Sequence, residues 1–435
     1  MMEERRHRVA VIGAGPAGLF AARFLAQQGV EVVLFNRDIK PGGLAEYGIY
    51  PTKHKMKDGL RAQFRQILSD PRVMYYGNVL IGEKGDLQLS DLQQMGFQAL
   101  LVTVGAQGTK WLGLPGEELQ GVYHAKDIVY HYNHLPLVAE HRPEIGRRVA
   151  VVGVGNVMTD IAHYLIADLQ VEEVVAVARR GPAEVKFDKK ELEHIIANLD
   201  LSAFDAEVER VSEVMRSLAQ DPQAARDFVH SVSGRAPACD SPTHLRILFL
   251  EAPERMVGDA QGRVCGLVLQ DNTLERVGDE VRARPLGRFR TLEVDTVIFA
   301  IGDRVDAGLG LPVRNGEFAK NPKPRFPVDG VSYEVEPPFE GVFVAGWARK
   351  SSAGLVGVAR KDGEMGARAV LRYLEGLPKL EGGMEDALPR LTKRVVCLPD
   401  LLRLDEAERN EAQRRGVEHF RFDCNEDMLQ AMGLV

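Results

Sequence analysis

The chain reads as an α/β protein of two Rossmann-like dinucleotide-binding domains, the second inserted into the first. Three observations lead there. A glycine-rich turn closing a short apolar strand occurs twice, as Val9-Ala10-Val11-Ile12-Gly13-Ala14-Gly15-Pro16-Ala17-Gly18 and as Val149-Ala150-Val151-Val152-Gly153-Val154-Gly155-Asn156-Val157-Met158. Each turn is followed by a helical pattern and another apolar run, the order that packs a parallel sheet with right-handed crossovers. A second matched pair of buried-type strands, at 96–105 and 295–302, also closes on glycine.

The elements follow in order. The first unit predicts strand 8–12, helix 17–28 ended by Gly29, and strand 31–35. The second predicts strand 148–152, helix 156–169 and strand 173–178. Trp111-Leu112-Gly113-Leu114-Pro115-Gly116 reads as a domain-crossing turn, and 205–245 as a polar, irregular elaboration. A last strand, 341–346, precedes a helix of about 354–376. The expected division is 1–108 and 336–435 for the split first domain, with 109–335 as the insert.

With 435 residues, 45% of them hydrophobic, the chain can build two or three real cores. A net charge of −7 argues against general nucleic-acid binding. No run of about 18 apolar residues predicts a membrane span. The first strand begins by Arg8, which leaves no room for a signal or transit peptide. Cysteines 239, 265, 397 and 424 form no Cys-x-x-Cys, so no disulfide framework, metal site, cluster or dithiol relay is expected. A cytoplasmic setting fits.

Each glycine turn puts free backbone N–H groups and a helix dipole where a pyrophosphate can sit. In the first, Gly13 permits the tight turn, Gly15 the close approach of phosphate, and Gly18 the packing of helix on strand. Pro16 fits the first helical position, where its missing N–H costs nothing. The acid that binds a ribose about 20 residues on is replaced by Asn36, which accepts without charge and should bind more weakly. The second turn has Met158 in the third fingerprint place, so its helix should stand further from its strand. Its second strand ends in Arg179-Arg180-Gly181-Pro182. Two guanidinium groups favour the 2′-phosphate of NADPH, where a carboxylate would repel it. Two cradles in one chain suggest two dinucleotides held face to face, one reducing the other.

These residues, with Glu46-Tyr47-Gly48-Ile49-Tyr50-Pro51, Tyr76-Gly77-Asn78-Val79, Leu114-Pro115-Gly116-Glu117, Lys190-Glu191-Leu192, Gly346-Trp347-Ala348-Arg349 and Met428-Leu429-Gln430-Ala431-Met432-Gly433, run nearly end to end. In this order the chain resembles ferredoxin–NADP reductases of the adrenodoxin reductase type, and more distantly the small subunit of glutamate synthase. The resemblance implies an FAD domain carrying an inserted NADP domain. It implies FAD contacts at Ala17, Asn36, Leu44, Val79, Trp347, Gly354, Leu355 and Val356. For NADPH it implies Val154, Gly155, Asn156, Val157, Arg179, Arg180, Glu191 and Gly354.

Three departures accompany it. Asn36 stands for the family's Glu. The family's Pro-Asp-His reads Pro51-Thr52-Lys53, with His54 one step later, which makes Lys53 and His54 the candidates for proton handling. Where the family gathers arginines against an acidic ferredoxin, this chain mixes Arg210 with Asp205, Glu207, Glu209 and Glu213. The stretch Lys53, His54, Lys55, Lys57, Arg61, Arg65 reads either as a docking patch or as a solvated helix face. The implied activity is hydride transfer from NADPH to FAD, then electron delivery to a carrier protein such as ferredoxin. Two other assignments stay open: a subunit of a larger, glutamate synthase-like oxidoreductase, and a redox-inert flavoprotein with a binding role.

Overall fold

The computed structural model describes residues 5–136, 142–234, 240–351, 356–381, 391 and 393–435. The chain divides into two compact units, Met1–Lys110 with Tyr132–Glu140 and Gly302–Val435, and Trp111–His131 with His141–Ile301. The first unit therefore resumes at Gly302, ahead of the 336 read from the sequence. Two features hold 302–335 there. Asp303–Arg304 pairs with Gly108–Thr109, and Leu309, Leu311 and Phe318 are buried in the first unit's core.

Each unit is built on a five-stranded parallel sheet. In the first the spatial order is Val342–Val344, Ala99–Val102, Arg8–Ile12, Glu31–Phe35, Val73–Tyr76. In the second it is Val122–His124, Thr296–Phe299, Arg148–Val152, Glu173–Ala178, His244–Phe249. Both sheets change direction of growth at the strand before the glycine turn, the place where open α/β sheets leave a crevice for ligands. These strands are largely apolar because both faces of each sheet are buried; in the second unit one face lies against Met256, Val264, Leu267, Leu269 and Leu292. The two Rossmann-like units expected from the sequence are thus present.

The first helix runs Pro16–Gln27 with proline at its start, as its sequence requires. It packs on Val356–Leu374 so closely that a Cβ on Gly363 would lie 2.1 Å from the Ala17 carbonyl oxygen. The helix expected over 156–169 is α-helical only for Asn156–His163 and continues as a π-helical turn, Tyr164–Asp168. That wider turn lets the adjacent Leu165 and Ile166 both face inward. The segment read as irregular is instead largely helical, Leu201–Ser217 and Pro222–Ser233. Asp200 and Asp221 cap the two helices by accepting the Ala203 and Gln223 N–H groups at 2.8 and 2.9 Å. Phe204, Val208, Val211 and Met215 form the buried face of the first, one apolar residue per turn amid charges.

The second unit also carries a three-stranded antiparallel sheet, Glu251–Gly258, Val264–Val277 and Glu280–Glu293. In the first unit, helices Leu398–Arg415 and Asn425–Ala431 complete the chain. Glu46, 4% exposed, accepts from Arg61 at 2.8 and 3.0 Å and pairs with Arg421. Lys40 pairs with Glu408 beside it. Buried carboxylates persist only when paired in this way.

Candidate functional site

The first glycine turn is shaped by its neighbours. A Cβ on Gly13 would lie 2.7 Å from the Thr103 carbonyl oxygen, and one on Gly18 only 2.0 Å from that of Gly13. Both positions admit glycine alone. Gly15 differs: φ is −75° and nothing lies within 4 Å of an added Cβ. The helix behind it has no side-chain cap, so its end can receive an anion. Gly42 donates its N–H to the Ala14 carbonyl at 2.7 Å, and a Cβ on Gly43 would stand 3.2 Å from Gly15 Cα. That contact brings Leu44, first residue of the short helix Leu44–Tyr47, to the turn. Val79 donates its N–H to the Asn36 carbonyl at 2.9 Å. A Cβ on Gly346 would meet Ala17 Cβ at 2.7 Å, which sets Trp347 beside the start of the helix. Gly13, Gly15, Ala17, Gly18, Asn36, Leu44, Val79 and Trp347 therefore converge. Gly354 and Leu355 lie outside the described residues; Val356 opens helix Val356–Leu374.

Asn36 turns out to be an internal brace. It is 7% exposed. Its Oδ1 accepts the Ala14 N–H at 3.0 Å. Its Nδ2 donates to the Asp38 and Lys40 carbonyls at 2.9 and 3.0 Å and reaches the Tyr75 hydroxyl at 3.2 Å. A side chain so occupied shapes the turn and the 37–42 loop rather than waiting for a ribose.

The second turn repeats the design with more room. A Cβ on Gly153 would meet the Ala300 carbonyl oxygen at 2.5 Å, while Gly155 has only Lys186 Cβ, at 4.0 Å. The third fingerprint place accommodates Met158, which is fully buried. Helix Asn156–His163 has no side-chain cap. Asn156 Oδ1 accepts the Asp188 N–H at 3.1 Å, and Asp188 Oδ1 accepts the Glu191 N–H at 3.0 Å. This chain of bonds ties the short Lys189–Leu192 helix, and so Glu191, to the turn. Val157 is exposed on the rim. Arg179, exposed, and Arg180, half-buried, close the adjacent strand.

Residues 7–202 match the family described as "Pyridine nucleotide-disulphide oxidoreductase". The mitochondrial NADPH:adrenodoxin oxidoreductase of Salvelinus fontinalis is 27% identical over 94% of this chain and 88% of its own length. NADPH-ferredoxin reductase FprA of Mycobacterium leprae is 29% identical over 89% and 88%. The chain is thus similar to the adrenodoxin reductases over most of its length. Mycobacterium tuberculosis FprA in complex with NADPH superposes with a TM-score of 0.82 at 25% identity, covering 98% of this chain and 100% of that one. Among its described residues the chain has no cluster of groups fit to hold a metal ion and no helix long and apolar enough to cross a membrane. Cys265, Cys397 and Cys424 are free.

Two residues at the turns escape a reading by motif. Thr103 hydroxyl donates to the Gly13 carbonyl at 2.8 Å, and a lone Thr in an apolar strand end is a signal that could have found it. Lys186 meets the second turn by donating its N–H to the Val154 carbonyl at 2.9 Å, a pairing with no local signature. Of the two candidates for proton handling, Lys53 precedes helix His54–Leu68. His54 stacks on His419 with ring centroids 4.2 Å apart. Burial and that second imidazole lower its pKa.

The basic stretch is neither a uniform docking patch nor a solvated face. Arg61 is held by Glu46 and Asp58, and Arg65 pairs with Asp405 at 2.6 Å. Lys57 is 5% exposed and donates to Asn133 Oδ1 at 2.8 Å and the Ile49 carbonyl at 3.2 Å. Burial lowers its pKa from 10.5 to about 8. Between those values the unfolded chain holds the proton that the folded one has lost, so stability rises with pH there. Tyr47 and Tyr75, raised by burial, reverse the trend above their ordinary value of 10. Denaturant titration should show the wild type gaining roughly 2 kcal/mol from about pH 7.5 to 9.5, and Lys57→Met losing that gain. Parallel slopes for the two proteins would exclude Lys57 as the source.

Proposed function

We propose that this chain is an NADPH-dependent FAD oxidoreductase that delivers electrons to a ferredoxin-type carrier protein. The observation that carries the proposal is the unequal pair of cradles: both helix ends are uncapped, and only the second is followed by two guanidinium groups. Near full-length kinship with NADPH:adrenodoxin oxidoreductase and FprA supports it.

In this reading Gly15, Ala17, Leu44, Val79, Trp347, Gly354, Leu355 and Val356 hold FAD, with Asn36 shaping the turn from within. NADPH falls to Val154, Gly155, Asn156, Val157, Arg179, Arg180, Glu191 and Gly354. The residues fit: the space beside Gly15 is open at the uncapped start of the helix, and a side chain there would intrude on it. FAD, when bound, supplies two-electron acceptance from a nicotinamide and one-electron release to a carrier. The chain's own residues bind, orient and shield; no nucleophile or dithiol is required. We assign the split unit, expected as 1–108 with 336–435 and resuming in the structure at Gly302, to FAD, and the unit inserted into it, expected as 109–335, to NADP, and place the protein in the cytoplasm.

Purified protein should be yellow, and anaerobic NADPH should bleach its flavin band. Addition of an oxidised ferredoxin should then restore it. A colourless preparation that takes up no FAD, or a flavin indifferent to NADPH, would end the proposal.

A further inference from the structure

A hairpin in the second unit lies beside Arg179 and Arg180. Asn272, in strand Val264–Val277, donates Nδ2 to the Arg179 carbonyl at 3.3 Å. Leu250 N–H donates to the Arg180 carbonyl at 3.2 Å, and Asn272 N–H to the Leu250 carbonyl at 2.7 Å. These bonds fix the hairpin against the strand end. Residues Glu280 to Ala283 then form one wall of a groove whose other wall is Arg179 and Arg180. Cross-strand pairing sets Ala283 opposite the buried Leu274. Val281 and Ala283 accordingly face inward, and Glu280 and Arg282 stand at the rim. Arg282 donates Nε and Nη2 to a single oxygen of Glu280, at 3.1 and 2.8 Å.

We propose that Arg282 is a third guanidinium for the nucleotide's 2′-phosphate, and that Glu280 is the rim carboxylate which competes with that phosphate for it. The inference rests on the assignment of the second cradle to NADPH. Three guanidinium groups and one carboxylate leave the groove two positive charges in excess. A phosphate monoester near neutral pH carries almost two negative charges, which match that excess. A bound phosphate draws Arg282 from Glu280, while a nucleotide lacking it leaves the pair intact. Glu280 thus lowers affinity for every 2′-phosphorylated ligand, and Arg282 raises it. The two residues act in opposite directions on one ligand class and leave the other untouched.

Calorimetric titration of the full chain with 2′,5′-ADP and with 5′-AMP reads this directly, with no dependence on turnover. Arg282→Ala should weaken 2′,5′-ADP about fivefold and leave 5′-AMP unchanged. Glu280→Gln should tighten 2′,5′-ADP by about threefold, again without effect on 5′-AMP. Arg179→Ser serves as the reference. If it weakens 2′,5′-ADP while both rim variants match the wild type, the rim assignment fails and the NADPH assignment stands. If all three variants match the wild type, both fail. A loss shared equally by 2′,5′-ADP and 5′-AMP in Arg282→Ala would mark a damaged hairpin and overturn the rim role.

Discussion

Gly15→Ala yields a folded protein that no longer holds flavin, whereas Gly18→Ala yields one that unfolds readily. The two substitutions add the same methyl group three residues apart in one turn. At Gly18 it would fall 2.0 Å from the Gly13 carbonyl oxygen and 2.6 Å from Thr103 Oγ1. Both atoms are anchored, the second by its own bond to Gly13. The helix must lift from the sheet, at a cost of ~3 kcal/mol or more. At Gly15 the backbone is already extended in a way alanine tolerates, and the methyl enters empty space. That space is where the proposal seats the pyrophosphate of FAD. The pair of measurements is the flavin-to-protein absorbance ratio and the thermal midpoint. Gly15→Ala should lose the first and keep the second. If it retains flavin at wild-type affinity, the first cradle is not the FAD site.

Replacing Arg179 and Arg180 together by Ser should raise the Michaelis constant for NADPH about 100-fold and that for NADH less than about threefold. A hydrogen bond to a charged group contributes about 1.5–3 kcal/mol, and Arg179 is exposed, so about tenfold per arginine is the reasonable expectation. The single variants should share the loss unevenly, since Arg180 is half-buried and Arg179 is not. Raising the salt concentration should shrink the wild-type advantage for NADPH and leave the double variant nearly indifferent. Equal losses for the two nucleotides would remove the 2′-phosphate assignment.

Much of this was legible along the chain, and what escaped did so for physical reasons. The strands Arg8–Ile12, Glu31–Phe35, Arg148–Val152 and Glu173–Ala178 fall where their apolar runs place them, because a strand buried on both faces has little polar residue to blur its ends. Helix Leu201–Ser217 was missed because a thin apolar stripe among glutamates resembles a loop unless its period is counted. Lys57 shows the limit more sharply. Sequence displays its charge but not its burial, and only its placement between Asn133 and Ile49 separates it from the solvated lysines nearby. Asn36 stands out in the sequence as an uncharged residue at the end of its strand, where an acid is usual. Its bonds to Ala14, Asp38 and Lys40 depend on the loop's course and could not be read from its identity. The pairing of Asp303–Arg304 with Gly108–Thr109 is likewise a long-range event with no local signature.

The bond between Glu46 and Arg421 has a consequence for how the molecule is made. As the polypeptide leaves the ribosome, the segment bearing Glu46 emerges more than three hundred residues before its counter-charge. Until that late stretch arrives, burying the carboxylate leaves it short of one of its two arginines, so the closing of this corner must be among the last events of biogenesis. A nascent chain stalled before residue 421 would present an unfinished first unit to the cell's quality-control machinery, however well its central sheet had formed.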